Sequence, residues 1–297
     1  MKDEPKLLFI YNSRAGKEKI RTQLLDLIQI FSEAGYEVVA CPTKSAGYAT
    51  QAVKERDTDC ALVVCAGGDG TLDEVVCGMM QSEQLTPIGY IPGGTTNDFA
   101  TSLQIPAVMT EAAKVAVYGD AFSCDVGKMN GDYFVYTAAF GLFTEVSYET
   151  KQDIKNILGH TAYLLEGVKR LGDVKSYRVR VSYDNLTIED DFIFGMITNS
   201  KSIGGFKEIT GKNVDLADGL FEVTLIRMPQ NPIELSSIIA ALLNRDLVSD
   251  MMYCFKTGRL IVETEIPLKW TRDGEYGGTH TRVEIENCHK RMVIKIP

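Results

Sequence analysis

Hydrophobic residues in the first part of the chain come in short, continuous runs. These runs occupy residues 7–11, 38–40, 61–65 and 88–91. Continuous hydrophobicity is typical of strands that are covered on both faces. Apolar residues also recur at helical spacing over residues 20–31, Gly35 follows as a helix stop, and the more polar residues 46–56 predict a second helix. The pattern therefore predicts an α/β fold, a parallel sheet with flanking helices.

The pattern changes beyond about residue 122. Residues 177–183 alternate apolar and polar side chains, which predicts a half-buried strand of an antiparallel sheet. Residues 192–197 and 220–226 resemble neighbouring strands, and residues 154–171 and 232–250 predict helices. We therefore expect an α/β domain over residues 1–122 and a mainly-β domain over residues 123–286. Residues 287–297 predict a C-terminal strand, and its return to the first domain is left open.

Length and composition fit this organisation. At 297 residues, with 45% hydrophobic and 24% charged residues, the chain exceeds a usual single domain and can bury a sizeable core. The net charge of -9 argues against a nucleic-acid partner, which calls for a basic surface. No apolar run reaches the roughly 18 residues of a membrane span, and residues 1–5 lack a signal peptide's apolar stretch. We therefore expect a cytoplasmic protein.

A glycine-rich turn follows the predicted strand at residues 61–65 and precedes a helical pattern. Its sequence is Gly67-Gly68-Asp69-Gly70-Thr71. A strand, a glycine turn and a helix start can present backbone N–H groups and a positive helix dipole to an anion such as phosphate. The motif is neither a Walker A loop nor a dinucleotide fingerprint. Taken alone, it is equally typical of a tight turn that requires positive φ.

Two further loops favour the phosphate interpretation. The strand at residues 88–91 leads into Pro92-Gly93-Gly94-Thr95-Thr96-Asn97-Asp98-Phe99-Ala100, and the first strand leads into Asn12-Ser13-Arg14-Ala15-Gly16-Lys17. Arg14 and Lys17 carry charges that can neutralise phosphate. Ligands of parallel sheets bind beyond the carboxyl ends of the strands, so we expect the three loops to form one site.

Together, the two glycine motifs closely resemble the catalytic domain of diacylglycerol kinases and of the related sphingosine and bacterial lipid kinases. The first motif is shared with NAD kinases and phosphofructokinases, whereas the second is more specific. The resemblance implies a nucleotide-binding N-terminal α/β domain, a C-terminal β-sandwich domain, and ATP in the cleft between them. It places around the nucleotide and its phosphates Asn12, Thr43, Gly67, Gly68, Asp69, Gly70, Thr71, Gly94, Thr95, Asn97 and Asp98.

Four positions depart from the family's usual residues. Ser13 stands where the family usually has Pro, Ala15 where it has Ser, and Asp73 where it has Asn. Tyr48 replaces the His of a Gly-His-Ala segment after the second strand. These departures weaken the assignments near Ser13 and Tyr48 and leave the overall resemblance intact.

The candidate base lies far downstream, in Trp270-Thr271-Arg272-Asp273-Gly274-Glu275. Phosphoryl transfer to an alcohol needs a carboxylate that accepts the hydroxyl proton. Asp273 matches the Asp-Gly-Glu that supplies this base in the bacterial lipid kinases, and Glu275 would lie by the nucleotide or its magnesium. Asp-Gly is also a strong hairpin-turn signal, and one turn can serve both purposes. Asp98, beside the phosphates, is the second catalytic candidate.

A second acidic segment, Asp215-Leu216-Ala217-Asp218-Gly219-Leu220, has the oxygen ligands that magnesium takes. It is similar to the segment that holds a structural magnesium in bacterial diacylglycerol kinases, through Asp215, Asp218 and the Leu220 carbonyl. An Asp-rich turn closed by glycine explains the same residues without a metal. Both interpretations remain open.

The sequence therefore predicts an ATP- and Mg²⁺-dependent kinase that phosphorylates a lipid hydroxyl, with diacylglycerol as the favoured acceptor. We expect peripheral contact with a membrane surface, and a homodimer is left open. The alternatives are a kinase for a sphingoid base, for phosphatidylglycerol or, less favoured, for NAD. A further alternative is a nucleotide or lipid sensor without turnover, against which the intact acidic residues of the motifs argue.

Overall fold

The structure is a computed structural model that describes residues 4–15, 19–56, 59–82, 85–95, 97–142, 175–203, 206–207, 214–244 and 249–297. The predicted helix over residues 154–171 lies outside these residues, as do Gly16, Lys17 and Thr96. The chain divides into two compact units. Unit one comprises Met1–Val126, Asp132–Val135 and Cys288–Pro297, and unit two comprises Gly127–Gly131 and Tyr136–Asn287.

Strands and helices alternate through most of unit one. In chain order these elements are β1 (Lys6–Tyr11), α1 (Lys19–Glu33), β2 (Glu37–Pro42), α2 (Tyr48–Arg56), β3 (Leu62–Gly67), α3 (Asp69–Met79), β4 (Ile88–Pro92), α4 (Asp98–Ser102), α5 (Met109–Tyr118), β5 (Asp120–Met129) and β6 (Asp132–Phe134). The strand β5 runs on into the first residues of unit two.

The core of unit one is a parallel sheet in the order β2-β1-β3-β4. Every residue of β3 and β4 is buried, as expected for continuous apolar strands covered on both faces. The helices pack in two groups, α1 with α5 and α2 with α3. Gly35 ends α1 with a φ of 85°, a left-handed conformation that glycine adopts without strain. The predicted parallel sheet is therefore present.

Unit two is rich in strands. Its elements are β7 (Thr137–Gly141), β8 (Tyr177–Tyr183), β9 (Leu186–Thr198), β10 (Ser202–Ile203), β11 (Phe206–Lys207), β12 (Phe221–Arg227), α6 (Pro232–Asn244), β13 (Met252–Thr257), β14 (Arg259–Arg272) and β15 (Glu275–Ile296). The antiparallel order is β13-β12-β9-β7-β14-β15, and β8 pairs with both β9 and β14. The alternation predicted for residues 177–183 is present, because Val179 and Val181 are fully buried between exposed arginines.

The helix α6 has a clear start and one buried face. The Asn231 side chain accepts hydrogen bonds from the N–H groups of Ile233 and Glu234, both at 3.0 Å, which caps the helix. Leu235 and Ile238 are buried, whereas Ile233 is 81% exposed. Every described helix is too short or too polar to cross a bilayer.

The strand β15 belongs to both units. Its first part, after Gly274, pairs antiparallel with β14 in unit two. Its last part lies in unit one, where Ile294 pairs in parallel with Ile88 of β4. The run predicted as a short C-terminal strand is therefore the end of a strand of 22 residues.

Candidate active site

Four strands of unit one end at the same edge of the sheet. The pairing aligns Tyr11, the last residue of β1, with Pro42 at the end of β2 and with Ala66 near the end of β3. Gly67 of β3 is aligned with Pro92 of β4. The residues that follow these strands are therefore neighbours. Their backbone N–H groups continue the hydrogen bonding of the sheet. Asn12 donates to the Ala66 carbonyl at 2.9 Å, Thr43 to the Tyr11 carbonyl at 2.9 Å and Gly93 to the Gly67 carbonyl at 2.6 Å.

The first glycine motif divides between a strand end and a helix start. Gly68 is the N-cap of α3, and the helix begins at Asp69, inside the motif. The N–H groups of Thr71 and Leu72 both donate to the Gly68 carbonyl, at 3.0 and 3.2 Å. Gly68 has no side chain with which to cap the helix, and the positive end of the helix dipole is a suitable binding place for an anion. A Cβ on Gly67 would lie 2.6 Å from the Thr71 hydroxyl, so this position excludes any side chain.

The second glycine motif is closed by Asn97. This residue has a φ of 52°, the left-handed region that asparagine tolerates better than most residues. Its Oδ1 accepts the Gly94 N–H at 2.9 Å, and its Nδ2 donates to the Gly94 carbonyl at 3.0 Å. A Cβ on Gly94 would lie 2.8 Å from the Cα of Gly68. The two glycine loops are therefore in direct backbone contact.

Two further residues that were predicted beside the nucleotide phosphates, Thr95 and Asp98, follow β4 at the same edge of the sheet. Asp98 is the first residue of α4 and is 3% exposed, whereas Thr95 is exposed. Tyr90, which sequence reasoning missed, shares its one hydroxyl proton between the Gly67 carbonyl at 3.3 Å and Asp69 Oδ1 at 3.5 Å. Burial first, and then the Asp69 charge, raise the pKa of Tyr90 well above its ordinary value. Tyr90 therefore stays protonated and serves as a fixed donor.

Asp273 occupies a two-residue hairpin turn in unit two. The flanking Arg272 and Glu275 are paired, and Asp273 and Gly274 have φ values of 49° and 81°, which confirms the predicted turn. The Asp273 side chain is nevertheless buried, with the residue 6% exposed. Its Oδ1 accepts two backbone N–H groups, from Tyr136 at 3.0 Å and from Thr137 at 2.9 Å. The carboxylate is therefore held in a fixed position.

The acidic segment of unit two forms two local turns. Asp215 Oδ1 accepts the Ala217 N–H at 3.0 Å, and Asp218 Oδ1 accepts the Leu220 N–H at 2.9 Å. Asp218 Oδ2 lies 3.1 Å from the Lys256 ammonium. Within the described ranges, no three acidic, histidine or cysteine side chains converge as metal ligands. The turn is therefore present, and the magnesium assignment of Asp215, Asp218 and Leu220 stays a prediction.

Comparison with known proteins identifies the family. A model of the diacylglycerol kinase catalytic domain matches residues 6–129. The chain is 34% identical over 293 residues to a diacylglycerol kinase of Bacillus subtilis (strain 168), and the match covers 97% of this chain and 95% of that protein. The chain belongs to the diacylglycerol kinase family.

Other members of the diacylglycerol kinase family agree. A diacylglycerol kinase of Staphylococcus carnosus (strain TM300) is 32% identical over 271 residues, covering 91% of this chain and 88% of that protein. The crystal structure of a candidate diacylglycerol kinase from Bacillus anthracis str. Sterne is 26% identical with a TM-score of 0.85, and it covers 100% of this chain and 97% of its own. A second structure from that organism shares the fold at 24% identity and a TM-score of 0.79, covering 100% and 98%. Membership of this family supports a lipid kinase and implies ATP as a substrate.

Besides Tyr90, three supporting residues of this family member were not predicted. Glu74 on α3 accepts the N–H groups of Gly47 and Ala49, at 2.8 and 3.0 Å, and so caps α2. Tyr136 contacts the Asp273 turn, and Lys256 contacts Asp218. Each contact joins residues more than twenty positions apart, and a local sequence pattern does not predict such pairs.

Proposed function

We propose that the protein transfers the γ-phosphoryl group of ATP to the hydroxyl of diacylglycerol and so produces phosphatidic acid. The observation that carries this proposal is the match of nearly the whole chain to a diacylglycerol kinase of Bacillus subtilis. The match includes the region of both glycine motifs and of the Asp273 turn. It therefore spans the candidate donor residues and the candidate base.

The donor side of the proposed reaction is the strand edge of unit one. Its backbone N–H groups, glycines and the start of α3 suit the phosphates of ATP, because they offer donors and positive helix dipole without obstructing side chains. We assign to nucleotide binding Asn12, Thr43, Gly67, Gly68, Asp69, Gly70, Thr71, Gly94, Thr95 and Asn97. Asn97 acts there through the backbone of Gly94, which both of its amide atoms contact. Asp98, at the start of α4, is assigned as a carboxylate beside the phosphates.

The acceptor step needs one base. Asp273 accepts the proton of the lipid hydroxyl while that oxygen forms a bond to the γ-phosphorus. The bond from the γ-phosphorus to the bridging oxygen breaks, and ADP leaves with that electron pair. Glu275, two residues after the base and exposed, is assigned to the nucleotide side. Because the carboxylate of Asp273 is held by backbone N–H groups, it needs little reorganisation during the step.

Magnesium fits the acidic segment of unit two in the kind of donor that it offers. Two carboxylates and a carbonyl are ligands that magnesium takes, with water completing the coordination. Asp218 Oδ2 also lies 3.1 Å from the Lys256 ammonium, so a cation bound here would compete with that positive charge. We assign a structural Mg²⁺ to Asp215, Asp218 and the Leu220 carbonyl. Magnesium that accompanies ATP neutralises phosphate charge.

A lipid substrate places the protein at a membrane surface in peripheral contact. We propose that the strand-rich part over residues 123–286 is the β-sandwich that handles the acceptor, and that residues 1–122 bind the nucleotide. An acceptor panel with a sphingoid base and phosphatidylglycerol addresses the alternative lipids. Nucleotide binding without phosphorylation of any acceptor would favour the sensor instead.

The test is an assay of labelled phosphate transfer from ATP to diacylglycerol in mixed micelles, with phosphatidic acid as the measured product. We expect Asp273→Asn to lower kcat by about 10²- to 10⁴-fold, because general-base catalysis contributes that much. The matched control is Asp184→Asn. Asp184 also occupies a two-residue hairpin turn of unit two, with a φ of 47°, and has no assigned role in catalysis. An unchanged rate in Asp273→Asn would remove Asp273 from the mechanism.

A further inference from the structure

The backbone at Tyr136 and Thr137 is tied to the Asp273 turn by four hydrogen bonds. Asp273 Oδ1 accepts the N–H groups of both residues, and the Asp273 N–H donates to the Thr137 carbonyl at 2.9 Å. The Tyr136 hydroxyl donates to the Asp273 carbonyl at 3.1 Å. The same residue therefore has its carboxylate and its main chain held from one short segment.

One of these four hydrogen bonds is donated by a side chain, the hydroxyl of Tyr136. Tyr136 is 8% exposed, and a Cβ on Gly274 would lie 3.8 Å from its hydroxyl oxygen. The ring of Tyr136 is therefore buried with its hydroxyl at the turn. A buried hydroxyl that donates to a backbone carbonyl both satisfies its own polar group and fixes the carbonyl.

The turn has the backbone conformation that Asp-Gly favours. Asp273 and Gly274 both adopt a positive φ, as the central residues of a two-residue hairpin turn do. The Tyr136 hydroxyl donates to the Asp273 carbonyl, which lies between these two residues. Without this bond, the turn loses one of the four hydrogen bonds that fix it, and the carboxylate can move by a larger amount.

We propose that Tyr136 is a positioning residue for the base, because its hydroxyl fixes the turn whose carboxylate also accepts two backbone N–H groups. The proposal rests on the proposed function of Asp273. In the step, the O–H bond of the lipid breaks and the proton passes to the Asp273 carboxylate. Tyr136 takes no part in that proton transfer. Its contribution is to the geometry from which Asp273 acts, and misplacement of a reacting group by about 1 Å can cost about 100-fold in rate.

The test is Tyr136→Phe, which keeps the ring and both backbone N–H donors and removes only the hydroxyl. The matched control is Tyr253→Phe, because the Tyr253 hydroxyl also lies in unit two but donates to Asp190, at 3.4 Å. We expect Tyr136→Phe to lower kcat by about 10- to 100-fold with little change in the KM for ATP. We expect Tyr253→Phe to retain the wild-type kcat within about twofold.

The melting temperature of each variant is measured first, so that a loss of kcat caused by unfolding can be told apart from one caused by displacement of Asp273. Kinetics are measured below the melting transition of every variant, so that all are folded. A tenfold or larger loss of kcat in Tyr136→Phe alone supports the proposal, whereas equal kcat values in the two variants would overturn it. A loss that appears only in the KM for ATP would overturn it as well. If Asp273→Asn is inactive and Tyr136→Phe is normal, only this inference fails; if Asp273→Asn is fully active, the proposed base itself fails.

Discussion

Gly94 and Gly68 bring the two glycine loops of unit one into contact. Glycine is required at position 94 by this close approach and not by a positive φ, because a Cβ there would lie 2.8 Å from the Gly68 Cα and 2.7 Å from Asn97 Oδ1. The backbones of the two loops can therefore stay in this contact only while position 94 lacks a side chain.

We predict that Gly94→Ala lowers the free energy of unfolding by about 1–3 kcal/mol, the usual cost of forcing extra atoms into a packed place. The matched control is Gly70→Ala, since a Cβ on Gly70 meets nothing within 4 Å. Gly70 lies in the first turn of α3, where alanine is favoured over glycine by up to about 1 kcal/mol. Urea unfolding measures both. Equal stability of the two variants would contradict the predicted contact between the loops.

At the scale of residues, the glycine motifs could be predicted from the sequence. The contacts that individual side chains make within them could not. Asn97 was placed beside the phosphates, and the structure adds that both of its amide atoms contact Gly94. A left-handed φ at an asparagine depends on the surrounding loop, so the sequence alone does not reveal it. Tyr136 carried no signal, because its partner lies 137 positions away.

At the scale of elements, the strands β1 to β4 of unit one were predicted closely because each contains a continuous apolar run. The helix α3 begins earlier than its apolar pattern indicates, at Asp69, because glycine residues carry no hydrophobic signal. The strand β5 was missed; it buries a charged residue, Asp125, whose Oδ1 lies 3.0 Å from His289 Nδ1. The strand β7 was missed because alanine and glycine are poor strand signals.

The cross-strand pair of Glu222 on β12 and Lys256 on β13 bears on the magnesium assignment. The Lys256 ammonium lies 3.0 Å from Glu222 and 3.1 Å from Asp218, so it already supplies a positive charge at the acidic segment. A divalent cation at Asp218 must therefore compete with this ammonium. Glu222 is buried, so it relies on Lys256 as a counter-charge.

We predict that Lys256→Met lowers the melting temperature in EDTA by several degrees, and that added Mg²⁺ then raises it more than in the wild type. The reason is that magnesium replaces the lost positive charge without competition. Lys269→Met, at an exposed position of β14, is the control and should behave as the wild type. The same magnesium increment in all three proteins would contradict binding of the ion at Asp218.

At the scale of the whole molecule, the net charge of -9 affects encounters with membranes. A negative protein is repelled by an anionic surface over about one Debye length, roughly 10 Å at 0.1 M salt. The sequence gives this charge directly, but not how it is distributed over the surface, because that depends on which side chains the fold exposes.

We predict that at pH 7.5 and low salt the protein sediments less with phosphatidylglycerol vesicles than with phosphatidylcholine vesicles. Added salt should reduce the difference because it screens the repulsion. As the pH falls towards the isoelectric point of about 5.0, carboxylates gain protons and the net charge becomes less negative. Binding to the anionic vesicles should therefore rise. Stronger binding to anionic vesicles at pH 7.5 would instead reveal a local basic surface that outweighs the net charge.

The strand β15 has a consequence for the order in which a nascent chain can fold. The sheet of unit one includes Ile294, paired with Ile88, yet all of Tyr136–Asn287 lies between the two strands in sequence. The ribosome must therefore synthesise the whole of unit two before it synthesises the segment that completes unit one. Domains usually fold one after the other from the N-terminus as they leave the ribosome. Here unit one is the first to be synthesised and the last to have all of its strands.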